Sequence, residues 1–149
     1  MEPLSVEELM ELLDSCRGLR IAPGDRGGPV DLHEHALQTA VLLRRSHPSD
    51  KELQVAGLVH GIGHALRPGE PNGHADLAAE AVRELLGLRV ARLVRERPGA
   101  EPAPDALTLH QAGAAARAAA LDAGVLEDWR PVLELVAARQ ARPGGRHTP

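Results

Sequence analysis

Four of the eight histidines in this chain lie in or beside apolar stretches, at positions 35, 60, 64 and 74. A buried imidazole needs a hydrogen-bond partner or a metal ion, because its transfer out of water without one is costly. His60 and His64 are four residues apart, a spacing that places two imidazoles on the same face of a helix. Several such histidines together indicate a metal site, although one buried histidine alone is more often an ordinary hydrogen-bonded core residue.

The pair His60 and His64 does not match the zinc-protease pattern, and the other four histidines give a weaker indication of a site. A zinc-protease pattern requires Glu directly after the first histidine of the pair, and Gly61 stands there instead. We expect the other four histidines to be solvated, since they fall on polar faces, at a helix end or near the last residue. These are His33, His47, His110 and His147.

The elements that position these side chains are predicted to be helices. The chain has 149 residues, of which 43% are apolar, enough for one cooperative core. Phe and Tyr are absent and Trp129 is the only aromatic residue, so Leu, Val and Ala at helical spacing must fill the core. The sequence therefore predicts a single all-α domain of about six helices over residues 1–142, followed by a disordered tail at residues 143–149.

Several polar residues are typical of helix starts. Ser5 and Glu8 form the capping-box pattern, in which a hydroxyl and a carboxylate satisfy free backbone N–H groups. Asp31 and Asp50 are expected to cap the second and third helices, and Asn72 the fourth.

The apolar pattern between these caps predicts the layout of the bundle. Residues 53–62 are apolar nearly all round, so the third helix is expected to be central and buried. Residues 20–29 hold three Gly and two Pro and are expected to form an irregular loop. Two Ala-rich helices are expected over residues 105–121 and 126–139, the second with Pro131 in its first turn.

Charge and cysteine content limit the partners and the compartment. The 17 basic and 21 acidic residues are interspersed and give a net charge of −4, so neither nucleic acid nor an anionic membrane is an expected partner. Cys16 is the only cysteine, which excludes an internal disulfide and a Cys-based zinc site. With no signal-peptide pattern at the acidic N-terminus, we expect a cytoplasmic protein.

Five segments resemble, in order, motifs of the HD-domain superfamily. Residues 34–40 (EHALQTA) resemble E-H-x-L-Q-x-A, and residues 58–64 (LVHGIGH) resemble L-H-D-x-G-H. Residues 74–82 resemble the next His-bearing helix, while residues 107–113 and 126–130 resemble the later L-x-L-Q-G-G and L-R-x-W-D-D segments more weakly. The pattern is most similar to the mixed-valence di-iron oxygenases related to the phosphonate-cleaving oxygenase and, more distantly, to myo-inositol oxygenase.

The resemblance implies a helical bundle whose inward His and Asp side chains hold one or two metal ions. His35, His60 and His74 match metal-ligand positions, and His64 matches the second histidine of the HD motif. Gln38 matches a helix residue beside the site. No catalytic residue is assigned.

The departures from the family pattern bear directly on metal binding. Gly61 stands where the family has the Asp that bridges both metals, and residues 94–97 lack the family's further histidine. Arg130 stands where the family has a metal-binding Asp. Its positive charge is expected to point towards the cation site. Two divalent ions about 3.5 Å apart repel by roughly 19 kcal/mol at an effective dielectric constant of about 20, so a di-iron pair should not form without bridging carboxylates. Three imidazoles can still hold a single Zn²⁺ or Fe²⁺. If the histidines converge, Gly61→Asp should raise metal occupancy.

Three functional hypotheses stay open at this point. The first is a catalytically degenerate HD domain that serves as a scaffold or binds a small anionic or polyol ligand. The second is a single-metal enzyme, an oxygenase or a phosphohydrolase, that uses the three matched histidines, with Asp76 and Glu80 as the nearest spare carboxylates. The third is an interaction protein that forms a homodimer through its last two helices.

Overall fold

The computed structural model describes residues 4–21, 30–67, 73–95, 104–118 and 123–141. Over these ranges the chain forms a bundle of helices, which confirms the predicted all-α class. Two short antiparallel strands, absent from the sequence prediction, join the first two helices. The elements are α1 (Val6–Ser15), β1 (Arg20–Ile21), β2 (Val30–Asp31), α2 (Leu32–Ser46), α3 (Lys51–Val59), α4 (Gly63–Leu66), α5 (His74–Leu86), α6 (Leu88–Arg95), α7 (Pro104–Ala118), a 3₁₀ turn (Leu126–Trp129) and α8 (Arg130–Ala141).

The predicted capping side chains are in place at three helix starts. Ser5 Oγ accepts a hydrogen bond from the backbone N–H of Glu8 at 3.0 Å, and the Glu8 carboxylate accepts one from the N–H of Ser5 at 2.9 Å. Asp31 and Asp50 each accept a backbone N–H bond in the first turn of α2 and α3. These bonds satisfy donors that have no partner inside the helix and so fix where each helix begins.

The third helix is the centre of the bundle, as its apolar pattern predicts. Every residue from Leu53 to Val59 is buried, and α2, α6, α7 and α8 pack around it. Trp129 is fully buried, and the Arg44 guanidinium lies 5.0 Å from the centre of its ring. Pro131 occupies the first turn of α8, where it removes no helical hydrogen bond. The central position of α3 brings the residue that follows it, His60, into the interior.

Some sequence-based expectations fall outside the described residues. Most of the predicted loop at residues 20–29, the segment at residues 96–103 and the expected tail at residues 143–149 belong to this group. Within the described ranges, no helix combines the length and the apolar character needed to cross a membrane.

One arginine joins three helices at the edge of the bundle. Arg89 makes a two-pronged ion pair with Asp50 at 2.8 and 2.9 Å and also contacts Glu52 at 3.0 Å and Asp105 at 2.7 Å. The hydrogen bonds from Arg89 hold the pKa of Asp50 below its usual range. Because the three carboxylates come from the N-terminal ends of α3 and α7, this network fixes both helices against α6.

We expect Arg89→Gln to lower the free energy of unfolding by about 1–2 kcal/mol near pH 7, more than an isolated surface pair would give. A carboxyl group whose pKa is depressed by folding stabilises the native state above its unfolded-state pKa, and this contribution is lost as the pH falls through the folded-state pKa. The difference in unfolding free energy between wild type and Arg89→Gln should therefore have its largest value above about pH 4 and become smaller below that pH. Urea unfolding at several pH values measures this difference.

Arg83→Gln is the matched control, because the ion pair that Arg83 makes with Glu80 is exposed and lies within its own helix. Its effect should stay below about 0.5 kcal/mol. An equal loss for both variants, or a loss for Arg89→Gln that persists near pH 2, would contradict a stabilising ion-pair network.

Candidate functional site

Two of the predicted site histidines face each other in the interior. His35 lies in the second turn of α2 and is buried, and His60 directly follows α3. Their ring centres are 5.5 Å apart in an edge-to-face arrangement. Gln38, one turn after His35, is half-buried. The packing of α2 on α3 thus brings together side chains that are 25 positions apart in the sequence.

Both rings donate a hydrogen bond to a backbone carbonyl. His35 Nε2 donates to the carbonyl oxygen of Gly113 in α7 at 2.9 Å, and His60 Nδ1 donates to that of Gly57 at 2.6 Å. Since a carbonyl oxygen can only accept, these contacts fix which nitrogen of each ring carries the proton. In His60, Nε2 is therefore the acceptor nitrogen. It faces α7, since a Cβ atom built on Gly113 would lie 3.9 Å from it.

The other two predicted histidines form a second pair at the start of α5. The rings of His64 and His74 lie 3.9 Å apart and are tilted by 39°. Gly63 permits this approach, because a Cβ atom at position 63 would overlap the backbone carbonyl of His74. The helix begins at His74 with Gly73 as its N-cap, at a φ of 84°, which corrects the prediction that Asn72 caps this helix; Asn72 lies outside the described residues.

Two histidines that the sequence placed on polar faces are not fully solvated. His33 is buried, and its Nδ1 donates to the carbonyl of Leu13 at 3.0 Å, which ties α2 to the end of α1. His110 is half-buried and close enough to His60 to affect its pKa. A helical stripe of Ala106, Leu109, His110 and Gly113, at positions i, i+3, i+4 and i+7, was the available signal for this face of α7.

A comparison with protein-family models bears on these positions. The model of the HD domain matches residues 32–136, which is more than half of the chain. The chain belongs to the HD-domain family. None of the curated proteins matches it. The matched range begins at the first residue of α2 and contains both histidine pairs of this HD domain.

The described residues of this HD domain do not fit a pair of divalent ions. The Asp that the family resemblance leads one to expect after His60 is Gly61, and no three His, Cys, Asp or Glu side chains within the described ranges are grouped so that they could hold a metal. Asp76 and Glu80, the nearest spare carboxylates by sequence, are exposed and pair with Arg95 at 3.5 and 3.4 Å. Nothing described here offsets the repulsion between two ions. Binding of one ion by the predicted histidines stays a prediction.

Arg130 does not point towards a cation site, which corrects the expectation from sequence. Its guanidinium forms ion pairs with Glu7 at 2.7 Å and with Glu127 at 2.5 Å, at the surface where α1 meets α8. Arg130 therefore holds α1 against α8, at a position where the family resemblance implies a metal-binding Asp. Its charge is compensated by two carboxylates rather than directed at the histidines.

Burial and neighbouring imidazoles disfavour protonation of His60 and His64. For His60, burial is the main cause and the nearby imidazoles of His35, His110 and His64 add to it; together, against the opposing effect of its bond to Gly57, they lower its pKa to about 4. Burial, followed by the proximity of His74, also lowers the pKa of His64. Both rings are therefore neutral at pH 7. His60 and His64 thus offer neutral imidazole donors and acceptors, and among the described residues no carboxylate is grouped with them in a metal-binding set.

This cluster predicts a pH-dependent stability. In metal-free protein the unfolded chain protonates His60 near its ordinary pKa, whereas the folded chain does so only near pH 4. Since the unfolded state binds more protons between these values, the folded state loses up to about 3 kcal/mol as the pH falls through this window. His60→Gln should flatten that part of the curve of unfolding free energy against pH. The exposed-site variant His47→Gln should leave it unchanged, and equal slopes for His60→Gln and wild type would contradict this reading.

Proposed function

We propose that this protein is a catalytically degenerate HD domain, derived from a di-iron oxygenase of small organophosphonates or polyols and retained as a scaffold or binding module. The main support for the proposal is that two positions at which the family motifs have metal-binding carboxylates hold other residues in this chain. One is Gly61, and the other is Arg130, which is engaged by surface glutamates. No described carboxylate near the histidines takes their place.

The electrostatics of the remaining site support this proposal. A di-iron centre needs anionic ligands between its ions, and neutral imidazoles cannot supply that charge. The lowered pKa of His60 also indicates a cluster without a nearby carboxylate, because a carboxylate within about 4–6 Å would raise it. On this proposal, the described part of the chain has kept the histidines without the carboxylates that would make them a two-metal catalyst.

The ligand class of the proposed binding module follows from the same chemistry. A neutral imidazole offers one donor and one acceptor nitrogen, which suits the hydroxyl groups of a polyol. A small anion is also a fitting ligand, because it can accept a hydrogen bond from an imidazole N–H and would favour the protonated form of the ring. The half-buried pair of His64 and His74 at the start of α5 is the accessible part of this cluster.

Oxygen consumption by the purified protein tests the loss of oxygenase activity. Wild type is incubated with Fe²⁺, O₂ and either an alkylphosphonate or inositol, beside His60→Gln as the matched background. We expect the two proteins to consume oxygen at the same rate and to release no oxidised product. Iron-dependent product formation by wild type that disappears in His60→Gln would overturn the proposal.

One observation favours a second candidate, a single-metal enzyme that uses His35, His60 and His74. His35 and His60 each donate one ring N–H to a backbone carbonyl, and metal-bound histidines are usually oriented in this way. Such a site could activate water for phosphate-ester hydrolysis or support an oxygenase reaction.

Metal content distinguishes the two candidates. We expect elemental analysis after incubation with Zn²⁺ or Fe²⁺ and desalting to give substoichiometric metal in wild type, His60→Ala and the control His47→Ala. One ion per chain in wild type and His47→Ala, lost in His60→Ala, would instead establish the single-metal enzyme.

A further inference from the structure

The space beside Gly61 is already filled. A Cβ atom built on Gly61 would lie 2.7 Å from Leu32 Cδ1 and 3.7 Å from Leu32 Cγ. Cβ atoms in real proteins do not approach another carbon as closely as the first of these distances, so any side chain at position 61 requires the terminal methyl group of Leu32 to move. The direction in which the family's aspartate would leave the backbone is thus the direction that Leu32 occupies.

The Leu32 side chain is buried, so its methyl groups can move only by repacking against neighbouring atoms. It is the first residue of α2, is 2% exposed, and its backbone N–H donates to the carbonyl of Leu19 at 2.8 Å. It lies one helical turn before His35 and therefore on the same side of α2. Its Cδ1 methyl group lies beside Gly61, in the turn that follows α3.

We infer that Leu32 is an apolar plug that replaces the metal-bridging carboxylate of the family, so that α2 and the turn after α3 are joined by packing instead of by a metal. This inference rests on the proposed loss of metal chemistry and adds its structural cause. A carboxylate inserted at position 61 would meet an aliphatic side chain instead of open space, and a buried carboxylate without donors is strongly disfavoured. The expectation that Gly61→Asp alone raises metal occupancy is revised accordingly.

The contrast with Gly113 shows that the obstruction is local. A Cβ atom at Gly113 would lie 3.9 Å from both His35 Cε1 and His60 Nε2, which is ordinary van der Waals contact. Neither Gly61 nor Gly113 has a positive φ, so alanine is compatible with the backbone at both positions. By conformational entropy alone, Gly→Ala should raise the melting temperature at each site. If alanine lowers the melting temperature at only one of the two positions, the cause must be the atoms that surround that position.

Thermal unfolding of alanine variants tests the plug without introducing a charge. Gly61→Ala should lower the melting temperature by several degrees, and the matched control Gly113→Ala should leave it equal or higher. In the Leu32→Ala background, Gly61→Ala should raise the melting temperature, because the obstructing side chain is gone. A neutral or stabilising Gly61→Ala in the otherwise wild-type chain, or a decrease that Leu32→Ala does not reverse, would overturn the inference.

Zinc titration of the folded variants supplies an independent measurement. We expect Gly61→Asp to bind Zn²⁺ no more tightly than wild type, and the double variant Leu32→Ala with Gly61→Asp to bind at least about tenfold more tightly, since a carboxylate then has room beside His60. Tighter binding by Gly61→Asp alone would refute the plug. Stoichiometric metal or iron-dependent oxidation in wild type would instead refute the proposed degeneracy, so the two failures are distinguishable.

Discussion

The hydrogen bond from His35 Nε2 to the carbonyl of Gly113 joins α2 to α7 across 78 positions of sequence at 2.9 Å. A buried imidazole N–H needs a hydrogen-bond acceptor, and here the acceptor is a backbone carbonyl of the facing helix. This bond holds α7 against the His35–His60 pair and defines the wall that His60 Nε2 faces. The arrangement of His35 and His60 therefore depends on how α2, α3 and α7 pack against one another.

The distribution of charge separates this interior from the surface. The ion pairs around Arg89, Arg95 and Arg130 join different helices through carboxylates that are at least partly exposed. His35 and His60 lie beside each other, in contrast, and burial together with the nearby imidazoles lowers the pKa of His60. Acidic side chains thus join helices at the surface of the bundle, whereas His60 is neutral at pH 7.

Membership of the HD-domain family does not by itself establish that this chain binds metal or catalyses a reaction. The HD-domain match covers residues 32–136, and the helices in that range place His35 and His60 side by side. Metal chemistry requires more than this placement, because anionic ligands must offset the charge of the ions. With glycine at position 61 and Leu32 against it, apolar packing is found at a position where the family resemblance implies a carboxylate. A fold can outlast the loss of such ligands when new packing stabilises the same contacts.

The sequence by itself determined the all-α class, three helix caps and the central position of α3, because each of these depends on residues within a few positions of one another. It failed for His33 and His110, for the outward ion pairs of Arg130 and for Leu32 beside Gly61. Those features depend on how whole helices lie against each other, which sets the direction of each side chain. Local periodicity places a residue on a face, but only the tertiary structure decides which side chain that face meets.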